Sequence, residues 1–184
     1  MIGRAKLVGG FSEFILADLG DGVDGLDGFT TRRGHKLPQN LDNVGQYETY
    51  IKVHLDFFHT LYTNNVAKSY KFLGASNSNH GGDFDYFTMD SLLQQLKLLY
   101  GVEGRVSRKF VDKEEVVVGR HKYTYMFTHG KDSSDMKAGL PLKLNDKTAR
   151  YIDNLIHYWK VDRESTVVFV KGDLHQGAIE GSGS

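Results

Sequence analysis

Short apolar runs alternate with longer stretches of periodic apolar residues along this chain, and the alternation predicts the order of strands and helices. A continuous apolar run that stops at a turn of small residues predicts a strand, and such runs occupy residues 14–17, 70–75, 105–110, 115–118, 123–128 and 166–170. Apolar residues that recur every three or four positions predict a helix, and this spacing occurs at about residues 41–63, 86–100 and 145–159. Gly101 is expected to end the second helix, and Asn145 to cap the third.

Helices that alternate with short apolar strands are typical of an α/β protein whose sheet is largely covered. We expect an antiparallel segment after Gly101, where several predicted strands follow one another. The 184 residues suit one domain of ordinary size. We therefore predict a single domain over residues 1–178, followed by a linker-like tail over residues 179–184.

Composition narrows the classes of function. Lys plus Arg and Asp plus Glu both number 23, so the net charge is zero, which argues against a polybasic nucleic-acid coat or a membrane-surface protein. The chain has no cysteine, which excludes disulfides, zinc fingers, iron–sulfur clusters and thiol catalysis. No apolar run approaches the ~18 residues of a membrane span. We expect a cytoplasmic protein that has no contact with a membrane.

Four of the predicted strands end in turns that carry metal-capable side chains. These side chains are carboxylates, imidazoles and an amide, namely Asp21 with Asp24, Asn79 with His80, His129, and Asp173 with His175. Ligands of open α/β sheets bind beyond the carboxyl ends of the strands, so four strands could deliver these groups to one crevice. A lone turn of this kind is often only a polar loop or a packing histidine. The repetition at four strand ends favours a metal site, and the thiolate-free donor set suits Mn²⁺, Fe²⁺, Zn²⁺ or Mg²⁺.

The residues of these turns resemble the sequence blocks of calcineurin-like metallophosphoesterases, over about residues 12–177. Residues 20–24, Gly-Asp-Gly-Val-Asp, resemble the G-D-x-x-D block. Residues 78–81, Ser-Asn-His-Gly, resemble the G-N-H-D/E block, with serine in place of the glycine and glycine in place of the acid. Residues 127–130, Phe-Thr-His-Gly, are similar to the single-histidine block. Residues 172–175, Gly-Asp-Leu-His, resemble the final G-H-x-H block, with aspartate in place of its first histidine.

The resemblance implies a layered metallophosphoesterase-like fold, in which one or more sheets are flanked by helices and which is truncated or rearranged in this chain. It also implies two divalent ions, with Mn²⁺ as the expected metal. Asp21 would bridge both ions, His175 would belong to one site, and the other site would be completed by Asn79, His129 and Asp173. The similarity is closest to phage-encoded members and more distant to the DNA-repair exonuclease branch.

The implied activity is that of a metal-dependent phosphoesterase, with a phosphodiesterase or nuclease as the expected class. Such enzymes attack a phosphate ester with a water activated between two metal ions. His80 would contact the scissile phosphate and protonate the leaving oxygen, because an imidazole titrates near neutral pH. The implied substrate is a phosphodiester in DNA or a nucleotide, and the implied location is the cytoplasm of a bacterial or phage-infected cell.

One block of the family is missing from its usual place. The family opens with a strand that ends in D-x-H, whereas residues 1–20 contain no histidine. The block could be lost, supplied by another chain, or replaced by residues 173–175 (Asp-Leu-His) in a rearranged order. A lost block predicts an alternative function, a catalytically impaired binding or inhibitory module with only one complete metal site. The four turns could also coincide by chance in a metal-free α/β domain.

A basic segment at residues 29–36 follows the first of these turns. Arg32, Arg33 and Lys36 are predicted to bind the phosphodiester backbone of a substrate, since guanidinium and ammonium groups pair well with phosphate oxygens. The alternative is an ordinary solvated loop. His54, His59 and His157 fall within predicted helices and receive no functional role.

Overall fold

A computed structural model of the chain describes residues 1–30, 34, 36, 38–76, 78–131 and 145–173. Four α-helices, one short 3₁₀-helix (Leu26–Gly28) and six strands are found in this part of the chain. The α-helices and strands are α1 (Ile2–Val8), β1 (Phe11–Asp18), α2 (Asn43–Thr63), β2 (Ala67–Ala75), α3 (Asp83–Tyr100), β3 (Glu103–Ser107), β4 (Asp112–Val118), β5 (His121–Thr128), α4 (Asp146–Tyr158) and β6 (Thr166–Lys171). The predicted tail over residues 179–184, and with it the domain boundary at 178, lies outside the described residues.

The strands form two sheets of three. The first has the order β1-β2-β3 and is parallel throughout, whereas in the second, β4-β5-β6, β4 is antiparallel and β6 parallel to β5. The protein is therefore α/β, with two small, mostly parallel sheets flanked by helices, and the predicted class is confirmed. The predicted antiparallel segment is confined to the β4–β5 pair.

Local signals in the sequence account for the ends of the three long helices. The Asp42 carboxylate accepts a hydrogen bond from the Gly45 N–H and caps α2, and Asn145 caps α4 by accepting from the Thr148 N–H. Gly101 ends α3 in the left-handed conformation, with φ of 64°. The predicted roles of Asn145 and Gly101 are confirmed.

Strands β1, β2 and β4 each begin three residues before their predicted starts, and two further elements differ more from the prediction. The third strand, predicted to run to residue 110, ends at Ser107, because the residues that follow leave the sheet and form the loop to β4. Helix α1 was not predicted. Of its seven residues only Ala5 is buried, so it has no apolar periodicity that would distinguish it from a loop.

The core has two parts that meet on the central strand β2. Phe72 faces the helices and belongs to the main cluster, together with Phe58, Leu61, Met89, Leu92, Leu93 and Leu96. The next residue, Leu73, faces the opposite way and packs with Ala75 and with Phe127 of β5. Successive side chains of a strand point to opposite faces, so β2 is buried on both sides and holds the two sheets together.

The carboxyl ends of strands from both sheets come together at one place. The His129 ring, just after β5, lies 2.8 Å from the carbonyl oxygen of Leu19, just after β1. The Gly172 N–H, just after β6, donates to the Thr128 carbonyl at 3.1 Å. The turns that follow β1, β5 and β6 are therefore neighbours. None of the helices in the described part of the chain combines the length and apolar character needed to cross a membrane.

Candidate functional site

His129 lies at the centre of a cluster that we call the turn cluster, formed by Asp21, Asn79, His129 and Asp173. Its Nδ1 is 2.8 Å from the Leu19 carbonyl oxygen. Since a carbonyl only accepts, Nδ1 carries the hydrogen. Nε2 in turn lies 3.0 Å from Asn79 Oδ1, 3.3 Å from Asp21 Oδ2 and 3.8 Å from Asp173 Oδ1. Nitrogen and oxygen atoms from four turns thus converge on one point.

The turn cluster is largely shielded from water. The side chains of His129, Asp173 and Asp21 are 5%, 10% and 16% exposed. Asp21 Oδ1 is buried and has no hydrogen-bond partner among the described residues, which is costly for a carboxylate oxygen. In the described part of the chain, no lysine or arginine forms an ion pair with Asp21 or Asp173. Burial lowers the pKa of Lys171 at the end of β6, and the Asp173 charge opposes this shift.

The backbone at both carboxylates is unusual. Asp21 has φ of 57° and Asp173 has φ of 71°, in the left-handed region that non-glycine residues rarely adopt. Such conformations persist only where the surrounding structure holds them, and they concentrate at functional sites. Gly20, with φ of 89°, leaves no room for a side chain, because a Cβ there would lie 3.0 Å from the Ala75 carbonyl oxygen.

A second pair of polar side chains lies in the adjoining turns. His80 Nδ1 is 2.9 Å from Asp24 Oδ1. Asp24 is itself held in place, because its N–H donates to Gln46 Oε1 at 2.8 Å and its other oxygen accepts from the Gln39 amide. His80 keeps about a third of its side chain exposed. With Nδ1 engaged by Asp24, Nε2 is the nitrogen left for proton transfer to a substrate.

Asp85, in the first turn of α3, is a buried carboxylate that contacts both turns. It accepts hydrogen bonds from the Asp21 N–H at 3.2 Å and the Val23 N–H at 3.4 Å, and it also bonds the Ser78 hydroxyl. Burial raises the pKa of Asp85 to about 7, although the bonds from Ser78 and Asp21 oppose the shift. The carboxylates of Asp21 and Asp18 add to it.

Asp18, at the end of β1, interacts with α2. It accepts from the Tyr50 hydroxyl at 2.6 Å and from the Gly20 N–H at 2.9 Å, and His54 Nε2 lies 3.6 Å away. Burial and the Asp18 charge raise the pKa of the Tyr50 phenol well above its usual value, so the phenol remains a donor. These contacts fix the start of the turn that carries Asp21.

The structure brings together four of the predicted metal ligands, Asp21, Asn79, His129 and Asp173, and places His80 directly after Asn79. Lys36 is exposed, and its backbone forms an isolated bridge with Phe29. The other predicted site residues, His175, Arg32 and Arg33, lie outside the described residues.

The predicted metal ions are not tested by these contacts. Although Asp21, His129 and Asp173 are neighbours, no group of three or more His, Asp and Glu side chains within the described ranges has the geometry of a metal-ligand set. The two divalent ions stay a prediction.

Two acidic residues of the site, Asp85 and Asp18, receive no role from the sequence. Asp24 is predicted only as a metal-capable side chain, and its position at the end of the G-D-x-x-D block is the signal for it, but its contact with His80 is not predicted. Asp85 falls in the first turn of a helix, where acids commonly offset the helix dipole, so nothing distinguished it. Asp18 became significant only through its contacts with α2.

No protein-family model, curated protein or solved structure matches this chain. The family resemblance therefore rests on the four turns, and the functional argument rests on the arrangement of their side chains.

Proposed function

We propose that this chain is a metal-dependent phosphoesterase of the calcineurin-like metallophosphoesterase type, which hydrolyses phosphodiester bonds in DNA or nucleotides. The observation that carries the proposal is the convergence of Asp21, Asn79, His129 and Asp173 from four strand ends. These residues are far apart in the sequence, and each comes from a turn that resembles a block of that family.

The donor set of the turn cluster fits a divalent cation. Carboxylate and amide oxygens with an imidazole nitrogen suit Mn²⁺, Mg²⁺, Fe²⁺ or Zn²⁺. Among the described residues, Asp21 Oδ1 is buried without a hydrogen-bond partner, and the Asp21 and Asp173 carboxylates both lie within 4 Å of His129 Nε2. A cation would give the unpartnered oxygen a partner and offset the charge of the two carboxylates. We propose that Asp21, Asn79, His129 and Asp173 hold it.

His80 is the proposed general acid. A divalent ion at the turn cluster would polarise a phosphoryl oxygen and acidify a water. His80 follows Asn79 in the chain, and its proposed role is to donate a proton from Nε2 to the leaving oxygen of a phosphate held at the cluster. Asp24 holds Nδ1 at 2.9 Å, which orients the ring.

The test is hydrolysis of bis-p-nitrophenyl phosphate with and without Mn²⁺. We expect Mn²⁺-stimulated turnover by the wild-type protein, and we expect both Asp21→Ala and His80→Ala to lower kcat/KM. For His80→Ala the loss should be about 10²–10⁴-fold, the usual contribution of a general acid. Asp56→Ala and His121→Ala are matched controls, because both residues are exposed. Turnover within twofold of wild type in Asp21→Ala or His80→Ala would contradict the mechanism.

A second candidate is a binding or inhibitory module that retains one metal site and has no turnover. It is favoured by the absence of a D-x-H block in residues 1–20 and by the single imidazole at the centre of the turn cluster. Calorimetry separates the two candidates, because the module should bind about one equivalent of Mn²⁺ and hydrolyse nothing.

A melting temperature that does not respond to Mn²⁺ or EDTA would instead support a metal-free domain, since a ligand that binds only the folded state must stabilise it.

A further inference from the structure

Position 81 carries a glycine where the resembled block has an acid, and a carboxyl group from elsewhere fills the space of the missing side chain. A Cβ on Gly81 would lie 2.4 Å from both Cγ and Oδ1 of Asp85. Gly81 has no positive φ, so its backbone could carry any residue. The Asp85 carboxyl is therefore what excludes a side chain at position 81.

The same carboxyl connects two turns that are distant in the sequence. From the first turn, Asp85 accepts the N–H groups of Asp21 and Val23 at 3.2 and 3.4 Å. From the second, it bonds the Ser78 hydroxyl, whose oxygen accepts the Gly81 N–H at 3.0 Å. Asp85 is 1% exposed, so water has little access to these bonds.

We propose that Asp85 is the positioning residue of the site, a relocated acid that joins the turn carrying Asp21 to the turn carrying Asn79 and His80. The effect of Asp85 on metal binding rests on the proposed function, whereas its hydrogen bonds to the two turns do not. Without this carboxylate, two buried N–H groups and a hydroxyl lose their acceptor, which buried polar groups tolerate poorly. Asp21 would then be free to leave its left-handed conformation, and the turn cluster would open.

The experiment moves the carboxylate from position 85 to position 81. Its variants are Asp85→Ala and the double variant Gly81→Asp with Asp85→Ala, in which the shorter residue at 85 frees the space for the acid. Asp90→Ala, on the same helix, is the matched control. Should Asp85→Ala fail to fold, Asp85→Asn keeps the volume and one acceptor oxygen.

The first measurement is amide hydrogen exchange at Asp21 and Val23 by NMR in metal-free protein. We expect Asp85→Ala to raise exchange at both amides at least tenfold, while core amides such as that of Phe72 keep their protection. Asp85→Asn should deprotect at least one of the two amides. The double variant should return both to within about threefold of wild type, and Asp90→Ala should change neither.

The second measurement is the Kd for Mn²⁺ by calorimetry. We expect Asp85→Ala to weaken binding at least tenfold and the double variant to recover it, a recovery that a general loss of stability would not produce. Unchanged exchange at Asp21 and Val23 in Asp85→Ala, or a folded double variant without recovery, would overturn the proposal. A wild-type protein that neither binds Mn²⁺ nor hydrolyses phosphodiesters would refute the proposed function, and the exchange measurement would still decide the role of Asp85.

Discussion

Two clusters of charged residues in this protein are built in opposite ways. The first, which we call the seam cluster, joins the two sheets and consists of Lys71, Arg105, Asp112 and Glu114. Its carboxylates face an ammonium or a guanidinium at 2.6–2.8 Å. In the turn cluster, the described partner of the Asp21 and Asp173 carboxylates is the His129 imidazole, at 3.3 and 3.8 Å. Within the described residues, the seam carboxylates are paired with lysine and arginine, whereas no lysine or arginine forms an ion pair with Asp21 or Asp173.

The pKa values of nearby carboxyl groups follow this difference. Burial by itself would raise the pKa of Glu114, but hydrogen bonds from Lys71 and Arg105 outweigh it and hold the pKa below its usual range. Asp85, beside the turn cluster, has no such cation, and burial raises its pKa to about 7. Glu114 is less buried than Asp85 and has two cations beside it, so its pKa falls whereas that of Asp85 rises.

The largest expected effect is stabilisation of the wild-type protein by Mn²⁺. At one hundred times its Kd, a ligand that binds only the folded state adds about 2.7 kcal/mol to the free energy of unfolding. For a chain of this size that corresponds to a rise in Tm of roughly 5–10 °C. Differential scanning calorimetry with Mn²⁺ and then EDTA measures it. Asp21→Asn should abolish the shift, and a wild-type Tm that is the same under both conditions would show that the turn cluster holds no ion.

Breaking the seam cluster should have a smaller effect, and one independent of metal. Glu114→Gln removes the carboxylate that forms ion pairs with both Lys71 and Arg105. Because Arg105 is 42% exposed, we expect a loss of about 1–2 kcal/mol in the free energy of unfolding, between the values for surface and buried pairs. Urea denaturation measures the loss. Glu115→Gln, in the exposed pair with Lys113, is the control and should cost less than about 0.5 kcal/mol.

The affinity for Mn²⁺ separates the two clusters in the same variant. Glu114→Gln should bind Mn²⁺ as the wild type does, because none of its partners touches the turn cluster. A Kd changed tenfold by Glu114→Gln would mean that the two clusters are coupled through the sheets and are not independent.

Local features of the sequence were enough to predict most of the fold. A helix end depends on the few residues around it, so Gly101 and Asn145 could be recognised without knowledge of the tertiary structure. The boundary of β3 was harder to predict, because residues 108–110 continue the apolar and basic pattern and only the sheet register ends the strand at Ser107. The division into two sheets also depends on pairings between distant strands, which no local pattern encodes.

The candidate site was predictable where topology brings strand ends together. Asp21 and Asn79 come within four residues of the ends of the paired parallel strands β1 and β2, so a parallel arrangement predicts that they meet. His129 follows β5 of the second sheet, and its approach to them depends on how the two sheets pack. Asp85 and the seam cluster could not be predicted in this way. Asp85 reaches the site from a helix, and the pairing of Glu114 with Lys71 and Arg105 depends on how the two sheets pack.

The smallest expected effect is the dependence of the seam cluster on pH. Since the folded-state pKa of Glu114 is lowered, its contribution to stability is present above the unfolded-state pKa and is lost as pH falls through the folded-state pKa. The stability difference between wild type and Glu114→Gln should thus be full at pH 6 and shrink in the acid range, below the usual carboxyl pKa of about 4.3. Urea denaturation of both proteins at pH 6 and pH 3.5, in EDTA, measures the change. A difference that grew as pH fell would mean that burial raises the pKa of Glu114, as it raises that of Asp85. The positive charge of the seam cluster would then not decide the ionisation of Glu114.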